Sequence, residues 1–502
     1  MRKLFIALLA MLAVTAVYAP DPHIIGHVID KKTNEHLPYV TISLVGTTYV
    51  TMTDGTGHYK LTNIPAGEYQ IQASFVGYIT QTKKITVKDK STVNVSFHIE
   101  EDALLLEQVV VTGNRNETKK KHSATLVNVV NSQIFDLVSA CSLADGLNFQ
   151  PGVRVENDCQ NCGFTQVRIN GLDGHYSQIL MNSKPVFSAL AGVYGLEHIP
   201  ATMIDRVEVM RGGGSALFGS SAIGGTINII TKDPVMNSAE VAHTFTSIGM
   251  SGSFDNNTTA NASVVNGNGK AGLFIYGQSR KKDDYDHNGD GFCEIGTVDA
   301  NTLGINSFFN ISDNSKIRAE YSNTNEYRRG GDQMDRPPHQ AMIAEQTDHV
   351  INAASVTYDL WSKDYKQKFN VYTALRDTKR ESYYGSYQDP NAYGSTHDIV
   401  AVGGAQYVHS FTKLWFMPSE LTGGVEYNHN FLNDVTIGYD HDVTQKINIY
   451  SAYLQNEWRS DKWGFLIGAR LDKHSLIDHV IASPRANIRY NPSDKLNFRL
   501  SY

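Results

Sequence analysis

The feature that most constrains the fold of this chain is a regular alternation of apolar and polar residues in its second half. From Ala239 onward the alternation recurs in long segments, as at 463–472, where Trp, Phe, Ile, Ala and Leu occupy every second position. Successive side chains of a β-strand point to opposite faces, so each segment predicts a strand with one apolar and one polar face. A soluble β-sandwich alternates too, but strands of about ten residues can cross a bilayer when tilted. The pattern therefore predicts about a dozen strands of a transmembrane antiparallel β-barrel.

The composition is consistent with strands in a membrane and argues against several other classes of protein. No apolar run of about 18 residues follows the N-terminal region, which excludes helical membrane spans. The mean hydropathy of −0.30 is no obstacle, because half of the side chains in a barrel strand face water. A net charge of −7 argues against a nucleic-acid partner, and 4 cysteines are too few for a disulfide scaffold.

The N-terminal region predicts an exported protein that begins with a β-sandwich. Arg2 and Lys3 precede an apolar run that ends near Ala19, which is typical of a secretory signal peptide over residues 1–19. Residues 22–100 contain short alternating segments separated by turn residues, at 24–29, 39–44, 59–61, 69–75 and 93–99. This region resembles the carboxypeptidase-regulatory-like domain through Thr53, Asp54, Gly57, Tyr59, Pro65, Gly67, Tyr69, Ile71, Gly77 and Tyr78. It has no cluster of zinc ligands, so no peptidase activity is expected.

A glycine-rich stretch at 207–232 separates the compact first half of the chain from the alternating second half. Val207 begins the stretch with strand alternation, Gly212 allows positive φ, and residues 226–231 predict a second strand. A dinucleotide-binding loop would need glycine where Leu217 stands, and no lysine follows the glycines as a Walker A loop requires. A nucleotide-binding enzyme is therefore not indicated.

The same stretch resembles the end of the plug domain of TonB-dependent outer-membrane receptors. The residues that carry the resemblance are Arg211, Gly212, Ser215, Ala216, Gly219, Ala222, Ile223, Gly224, Gly225, Ile227, Asn228, Ile229, Ile230 and Thr231. The resemblance implies a mostly β protein in the outer membrane of a Gram-negative bacterium, with an α+β plug at 123–235 and the N-terminal part of a barrel at 236–502. Such barrels have about 22 strands and the chain ends at Tyr502 inside a strand, so a truncated barrel is expected.

A β-branched run between the two folded regions is interpreted as the TonB box, within a linker at 104–122. Its residues are Val109, Val110, Val111, Thr112 and Gly113. The resemblance implies a mobile segment that adds as a strand to the edge of the TonB protein, mostly through main-chain hydrogen bonds, for which β-propensity is what the segment needs. The alternative is a buried strand of one neighbouring domain.

Charged and glycine residues of the predicted plug match landmarks of the family. Those with an expected structural role are Arg168, Gly171, Arg206, Glu208, Arg211, Gly212 and Gly219. Charges inside a barrel must be paired or hydrated. The resemblance implies that the charged members hold the plug against the barrel wall through polar contacts that a pulling force can release.

Two plug loops contain candidate substrate-binding residues. Cys159 and Cys162 lie between two plug strands, where a redox pair or a metal site is conceivable. No βαβ pattern surrounds them and no further ligands are placed by the sequence, so a small disulfide ring is favoured. As an apical loop this ring would lie under the substrate, with Tyr194 in a second apical loop.

A loop at 286–294 has the spacing of calcium ligands. The candidate ligands are Asp286, Asn288, Asp290, Phe292 through its carbonyl, and Glu294. Thr297 stands where an EF-hand has glutamate, so an EF-hand is excluded, and a plain surface turn is the alternative. Cobalamin receptors of the family have calcium-ordered loops, which favours cobalamin among the candidate substrates.

Together these features predict an active-transport receptor rather than an enzyme, because no motif of a hydrolase, metalloprotease or nucleotide-binding enzyme is present. The resemblance implies import of a scarce nutrient complex (a ferric siderophore, cobalamin, haem or another metal chelate) energised by TonB. The expected partners are TonB, the extracellular chelate and outer-membrane lipid, without nucleic acid; calcium is an expected ion, and no organic cofactor is expected. The alternatives are a glycan importer of the same superfamily, and a redox or metal-handling surface protein that uses Cys159 and Cys162.

Overall fold

The computed structural model describes residues 22–100 and 109–502, except 32, 46, 48, 76, 77, 90, 160–163, 186–195, 213, 220, 251, 494 and 495, and it describes the backbone alone at 157–159, 164 and 215. The predicted signal peptide at 1–19 lies outside the described residues. The chain divides into two compact units. The first ends at Gln108 and the second begins at Val109. None of the helices in the described ranges is long and apolar enough to cross a membrane.

The first unit is a sandwich of two four-stranded sheets. Its strands are β1 (His23–Asp30), β2 (Thr41–Leu44), β3 (Val50–Met52), β4 (His58–Leu61), β5 (Gly67–Ser74), β6 (Gln81–Val87), β7 (Thr92–Asn94) and β8 (Phe97–Ile99). One sheet has β1 at its centre, paired with β4, β7 and β8, and the other has the order β3-β2-β5-β6. Ile24 and Phe97 of the first sheet are fully buried together with Ile42 and Ile71 of the second, so the predicted β-sandwich is confirmed.

Some strand boundaries of this unit differ from the prediction for local reasons. Tyr39 has a φ of 61°, so β2 begins only at Thr41. The predicted strand at 93–99 is two strands, β7 and β8, which pair with successive parts of β1. Strand β6 has no clear alternation because two lysines follow one another in it, which an edge strand tolerates.

The second unit begins with a small α+β domain, the predicted plug. Its elements are β9 (Val109–Val110), β10 (Thr118–Lys119), β11 (Val127–Asn131), α1 (Ser132–Leu137), α2 (Leu143–Leu147), β12 (Val153–Cys159), β13 (Phe164–Ile169), β14 (Ser177–Met181), β15 (Ile204–Arg211), α3 (Ser215–Phe218) and β16 (Gly225–Thr231). A sheet with the order β11-β15-β16-β14 forms its centre, and β9–β10 and β12–β13 are hairpins. The glycine-rich stretch supplies the two central strands, whose Val207, Val209, Ile227 and Ile229 are fully buried.

Three glycines predicted to have structural roles in the plug have left-handed backbones. Gly171, Gly212 and Gly219 have φ values of 81°, 62° and 96°. A β-carbon added at Gly171 or Gly212 would meet no atom within 4 Å, so the backbone conformation rather than the available space favours glycine there. Gly212 ends β15, and Gly219 ends the single helical turn α3. The chain can therefore reverse between the two central strands.

The rest of the second unit is a 13-stranded sheet. Its strands are β17 (Ser238–Ile248), β18 (Ser253–Val265), β19 (Ala271–Lys282), β20 (Thr297–Ser312), β21 (Ser315–Gly331), β22 (Ile343–Trp361), β23 (Gln367–Ser386), β24 (Tyr393–Leu414), β25 (Met417–Thr436), β26 (His441–Arg459), β27 (Trp463–His474), β28 (Ile481–Ser493) and β29 (Leu496–Ser501). Each strand pairs with the next in sequence, and β20 and β21 are antiparallel up to a tight turn after Ser312. Longer loops connect β19 to β20 and β21 to β22, over residues 283–296 and 332–342.

The two faces of this sheet reverse the usual distribution of polarity in a folded protein. On β27, Ile467 and Leu471 are 59% and 50% exposed, whereas Arg470 and Asp472 are 3% and 5% exposed. The adjacent strand β28 buries Arg485, Asn487 and Arg489 and exposes Ile488 in the same way. An outward apolar face and an inward polar face are what a strand needs when lipid lies on one side and a polar lumen on the other. The predicted alternation is thus confirmed, residue by residue, at 463–472.

Aromatic rings gather near the short turns at one end of the sheet. Trp415 and Phe416, in the turn between β24 and β25, stack on Trp458 with ring centroids 5.3 and 5.8 Å apart. Trp463, just after the next turn on this side, stacks on Tyr490 at 4.3 Å. Trp and Tyr are enriched where the apolar band of a membrane barrel ends and the interface begins.

Candidate functional site

The plug lies against the inward, polar face of the 13-stranded sheet. Gln278 of β19 donates to the carbonyl of Cys141 at 2.8 Å, and Arg499 of β29 donates to the carbonyl of Lys120 at 3.2 Å. Strands between these two also contact the plug, as shown by Ser355 of β22, which accepts a hydrogen bond from Lys184. One small domain meets strands from β19 to β29, so the sheet curves around it. We call this contact zone the seam.

The most distinctive contact within the plug joins its first residues to a buried carboxylate. The Glu208 side chain is fully buried, and its Oε2 accepts hydrogen bonds from the amides of Val111 (2.9 Å) and Thr112 (2.8 Å) and from the Thr112 hydroxyl (2.7 Å). Its Oε1 accepts from Arg206 Nε at 3.0 Å. Asn228 Nδ2 completes the group by donating to Thr112 Oγ1 at 3.0 Å. We call residues 109–115, which these contacts hold, the latch segment.

The second part of the latch segment reaches across the seam to the polar face of the 13-stranded sheet, which we call the wall. Asn114 Nδ2 donates to Glu420 Oε1 at 3.2 Å and to Glu457 Oε2 at 3.0 Å. Arg115 forms an ion pair with Glu426 at 3.1 Å, and the two side chains are only 3% and 2% exposed. The guanidinium also lies 4.7 Å from the centre of the Phe218 ring of the plug. The segment is therefore fixed to plug and wall at once.

This arrangement bears on the predicted TonB box at Val109–Gly113. Val109 is 41% exposed, but Val110 is fully buried and pairs with Thr118 in the β9–β10 hairpin. The Gly113 carbonyl accepts a hydrogen bond from Arg485 of β28 at 3.1 Å. The segment is held rather than free in this structure, so the mobile state that the resemblance implies requires release of these contacts. Its role as a TonB box stays a prediction.

Replacing Glu208 by Gln is expected to loosen the latch segment without disturbing the plug sheet. Glutamine has nearly the same shape but carries no charge, and hydrogen bonds to charged groups contribute about 1.5–3 kcal/mol each. Hydrogen exchange at the amides of Val111 and Thr112 should become roughly tenfold to a hundredfold faster. Glu156→Gln is the matched control, because that carboxylate pairs with Arg154 in the β12–β13 hairpin. Equal exchange in the two variants would show that Glu208 does not hold the segment.

The plug arginines Arg168 and Arg211 have partners within the plug. Arg168 forms ion pairs with Glu156 and, at 3.0 Å, with Asp173, and Arg211 donates to the Pro151 carbonyl. All of these partners belong to the plug, as does Glu208, the partner of Arg206. The contacts shown for these arginines stabilise the plug itself, because neighbouring strands and turns supply partners, and their role in holding the plug against the wall stays a prediction.

Other plug residues make the ionic contacts with the wall. Lys184 Nζ donates to Ser355 Oγ at 2.8 Å and lies 3.7 Å from Glu320 Oε2. Glu197 pairs with Arg328 of β21 at 2.7 Å. Burial by itself would raise the pKa of the Glu197 carboxyl, but the Arg328 guanidinium overcomes this and lowers the pKa to about 2. The pair thus stays ionised at neutral pH, and its contribution is lost only as the pH falls through that value.

Sequence reasoning missed the carboxylates of the wall that hold the plug. They are Glu320, Glu326, Glu420, Glu426 and Glu457. The available signal was their position on the polar side of alternating strands. That signal gives the face of the sheet but not the plug residue that each one meets.

The predicted calcium ligands lie in the loop between β19 and β20, where the backbone already uses several of their oxygens. Asp286 accepts from the amides of Gly289 (2.7 Å) and Gly291 (2.8 Å), and Glu294 accepts from His287 (2.6 Å). Asp290 accepts in the same way from the amide of Phe292, and Asn288 from that of Asp290. Among the described residues, a different group of three side chains has the spacing of metal ligands. The candidate ligand atoms of His198, Glu326 and His349 all lie within 4.8 Å of one another.

The predicted substrate residues cannot be placed. Cys162 and Tyr194 lie outside the described residues, and so does the side chain of Cys159, although its backbone ends β12. The remaining cysteines, Cys141 and Cys293, are buried free thiols. The disulfide between Cys159 and Cys162 stays a prediction.

Comparison with protein families divides the chain into three matched regions. Residues 24–111 match the CarboxypepD_reg-like domain, and residues 119–226 match the TonB-dependent Receptor Plug Domain. Residues 252–502 match the family described as TonB dependent receptor-like, beta-barrel. The matched regions follow the order of sandwich, plug and sheet in the structure.

Individual relatives agree with these families. The chain is 32% identical over 204 residues to the vitamin B12 transporter BtuB of Photobacterium profundum, and 36% identical over 125 residues to that of Vibrio vulnificus. These matches cover 38% and 25% of this chain and 32% and 20% of the relatives, so the chain spans about a third or less of their length.

Solved structures show the same fold. The siderophore receptor PirA of Acinetobacter baumannii has a TM-score of 0.64 at 18% identity, over 75% of this chain and 60% of that one. A mutant of the ferric enterobactin receptor PfeA of Pseudomonas aeruginosa has a TM-score of 0.64 at 16% identity, over 76% and 62% of the two chains. Identities this low support the fold alone.

Proposed function

Because this chain belongs to the TonB-dependent receptor family, we propose that it acts in the outer membrane of a Gram-negative bacterium as an importer of a metal chelate of the cobalamin or ferric siderophore type. The observation that carries the proposal is the seam, where a folded plug meets the inner wall through ion pairs and hydrogen bonds. Water can replace such contacts one at a time, so a plug held in this way can be displaced and can return. The apolar outer face and the aromatic rings at one end of the sheet support a position in lipid.

The latch segment supports a dependence on TonB. It is the first part of the second unit, it is rich in β-branched residues, and it donates three hydrogen bonds to Glu208 of the central plug sheet. A partner that pairs with this segment as an added strand can therefore transmit a pull to the centre of the plug sheet. Binding and displacement require no covalent chemistry, so we propose a transporter without catalytic activity.

The substrate class is tested by binding measurements on the full-length receptor, with cobalamin, haem and several ferric siderophores as the panel. Submicromolar binding of one chelate is expected, because a receptor for a dilute nutrient needs high affinity. A receptor that binds no member of the panel would contradict the proposal. The relatives named vitamin B12 transporters and siderophore receptors make cobalamin and a ferric siderophore the first two ligands to measure.

The same measurement tests calcium as the expected ion. If calcium orders the loop at 286–294, chelation should weaken substrate binding, and the Asp286→Asn/Asp290→Asn variant should have lost that response. Asp299→Asn, at the start of β20, is the control because it lies outside the predicted loop. Binding that is indifferent to chelation would mean that the hydrogen bonds of the loop to its own backbone suffice.

A further inference from the structure

Three side chains from the plug and the wall meet in a buried cluster at the seam. His198 Nε2 lies 2.8 Å from Glu326 Oε1, and His349 Nδ1 lies 3.8 Å from the same oxygen. The two imidazole rings meet edge to face, with centroids 5.3 Å apart. Their side chains are 4%, 2% and 2% exposed for His198, Glu326 and His349. The plug supplies His198, β21 supplies Glu326, and β22 supplies His349.

The donor atoms are of the kind and spacing that a divalent transition metal takes. Two imidazole nitrogens and one carboxylate oxygen lie within 4.8 Å of one another. On a tetrahedral ion with bonds of about 2.0–2.1 Å, two ligand atoms lie about 3.4 Å apart. The distance of 3.8 Å between His349 and Glu326 is too long for a hydrogen bond but close to this ligand spacing. Small rotations of the side chains therefore suffice to close the three atoms around an ion.

The other ring nitrogen of His198 is compatible with metal binding at Nε2. The Nδ1 atom of His198 is buried and has no hydrogen-bond partner in the part of the chain that the structure describes. It faces away from the proposed ion, and it is the nitrogen that carries the imidazole proton when Nε2 binds a metal. The neighbouring Arg328 donates to both oxygens of Glu326, at 2.6 and 3.0 Å, and so fixes the orientation of the carboxylate.

We propose that His198, Glu326 and His349 bind a divalent transition-metal ion, with Zn²⁺ as the best fit, which joins the plug to the wall. A metal ion at Nε2 requires that this nitrogen carry no proton, so a proton on Nε2 would move to Nδ1 or leave to solvent, and binding therefore weakens at low pH. The guanidinium of Arg328 disfavours a second cation nearby, which makes the site weaker than a structural zinc site. A bound ion would tie the plug to β21 and β22, and release of the plug would become sensitive to metal.

The proposal is tested by metal binding to the untagged full-length receptor in detergent, with Co²⁺ as the spectroscopic probe for Zn²⁺. Wild-type receptor should show the visible absorption of tetrahedral Co²⁺, and Zn²⁺ should displace it. His198→Gln and His349→Gln should each remove this signal. His397→Gln is the matched control, because His397 also pairs with a wall carboxylate, Asp377, at 2.7 Å. The control should bind as wild type does.

A second variant keeps the test decisive if the glutamine variants fold poorly. His349→Cys replaces one ligand by another, so the Co²⁺ complex should gain the near-ultraviolet charge-transfer band of a thiolate ligand. Loss of signal in the glutamine variants together with this band would support the site. Wild-type Co²⁺ spectra in the glutamine variants, or a cysteine variant without the band, would overturn it. Neither readout involves substrate uptake. The outcome of this test is therefore separate from the outcome of the test of the proposed transport.

Discussion

Replacing Glu426 by Ala is expected to loosen the hold of the wall on the latch segment, with a large loss of local stability. Glu426 pairs with Arg115 at 3.1 Å and with Arg470 at 3.0 Å, and all three side chains are nearly fully buried. Removing one member of a buried ion pair typically costs about 3–5 kcal/mol, because the remaining charge is left without a partner or water. Here two guanidinium groups would lose the same carboxylate.

The measurement is the free energy of opening at residues 109–119, obtained from hydrogen exchange of the receptor in detergent micelles. Glu426→Ala should lower it by about 3–5 kcal/mol, and Glu426→Gln, which keeps the shape and one acceptor, by less. Arg154→Ala is the control, because its ion pair with Glu156 is 78% exposed on the arginine side and should change little. Exchange as slow as that of the wild type in Glu426→Ala would show that Arg115 does not need this carboxylate.

A variant with Val109→Pro and Val111→Pro is expected to lose energised uptake while retaining substrate binding. Alternate residues of a strand present their amides to the same neighbour, and proline has no amide hydrogen to donate. The two prolines therefore remove two main-chain donors from one edge of the segment that is proposed to pair with TonB. Uptake of the chelate should fall to the level of cells without TonB, whereas binding to the purified receptor should remain within about twofold, or roughly 0.4 kcal/mol.

The matched control carries Val109→Ala and Val111→Ala, which shorten the same side chains but keep both amides. It should transport at close to the wild-type rate if main-chain hydrogen bonds carry the contact. If the alanine variant fails as badly as the proline variant, the side chains carry the contact instead. If both variants transport normally, the latch segment is not the TonB box.

The sequence predicts well toward which face of a sheet a side chain points. It predicts less well which residue that side chain contacts. At 463–472 the period of two was enough to assign Arg470 and Asp472 to the inside and Ile467 to the outside, because a strand leaves no other choice. The β-sandwich and the glycine-rich reversal at 207–232 were likewise predictable, since both depend on local spacing and backbone conformation.

Contacts between distant parts of the chain were not predictable in this way. Val111 and Glu208 are 97 residues apart, and Arg115 and Glu426 are 311 apart. Such pairs depend on the register of every intervening strand and on how far the sheet curves, neither of which a local pattern contains. For the same reason the partners of Arg168 and Arg211 within the plug were not predicted.

The order of contacts along the latch segment has a mechanical consequence. A force applied from its N-terminal side reaches the pairing of Val109 and Val110 with β10 first, then the hydrogen bonds of Val111 and Thr112, then those of Asn114, and last the ion pair of Arg115. The contacts are thus loaded one after another, as in unzipping, and not all together, as in shear. The peak force is then set by the strongest single step rather than by the sum, so a motor that delivers small displacements is sufficient to open the segment.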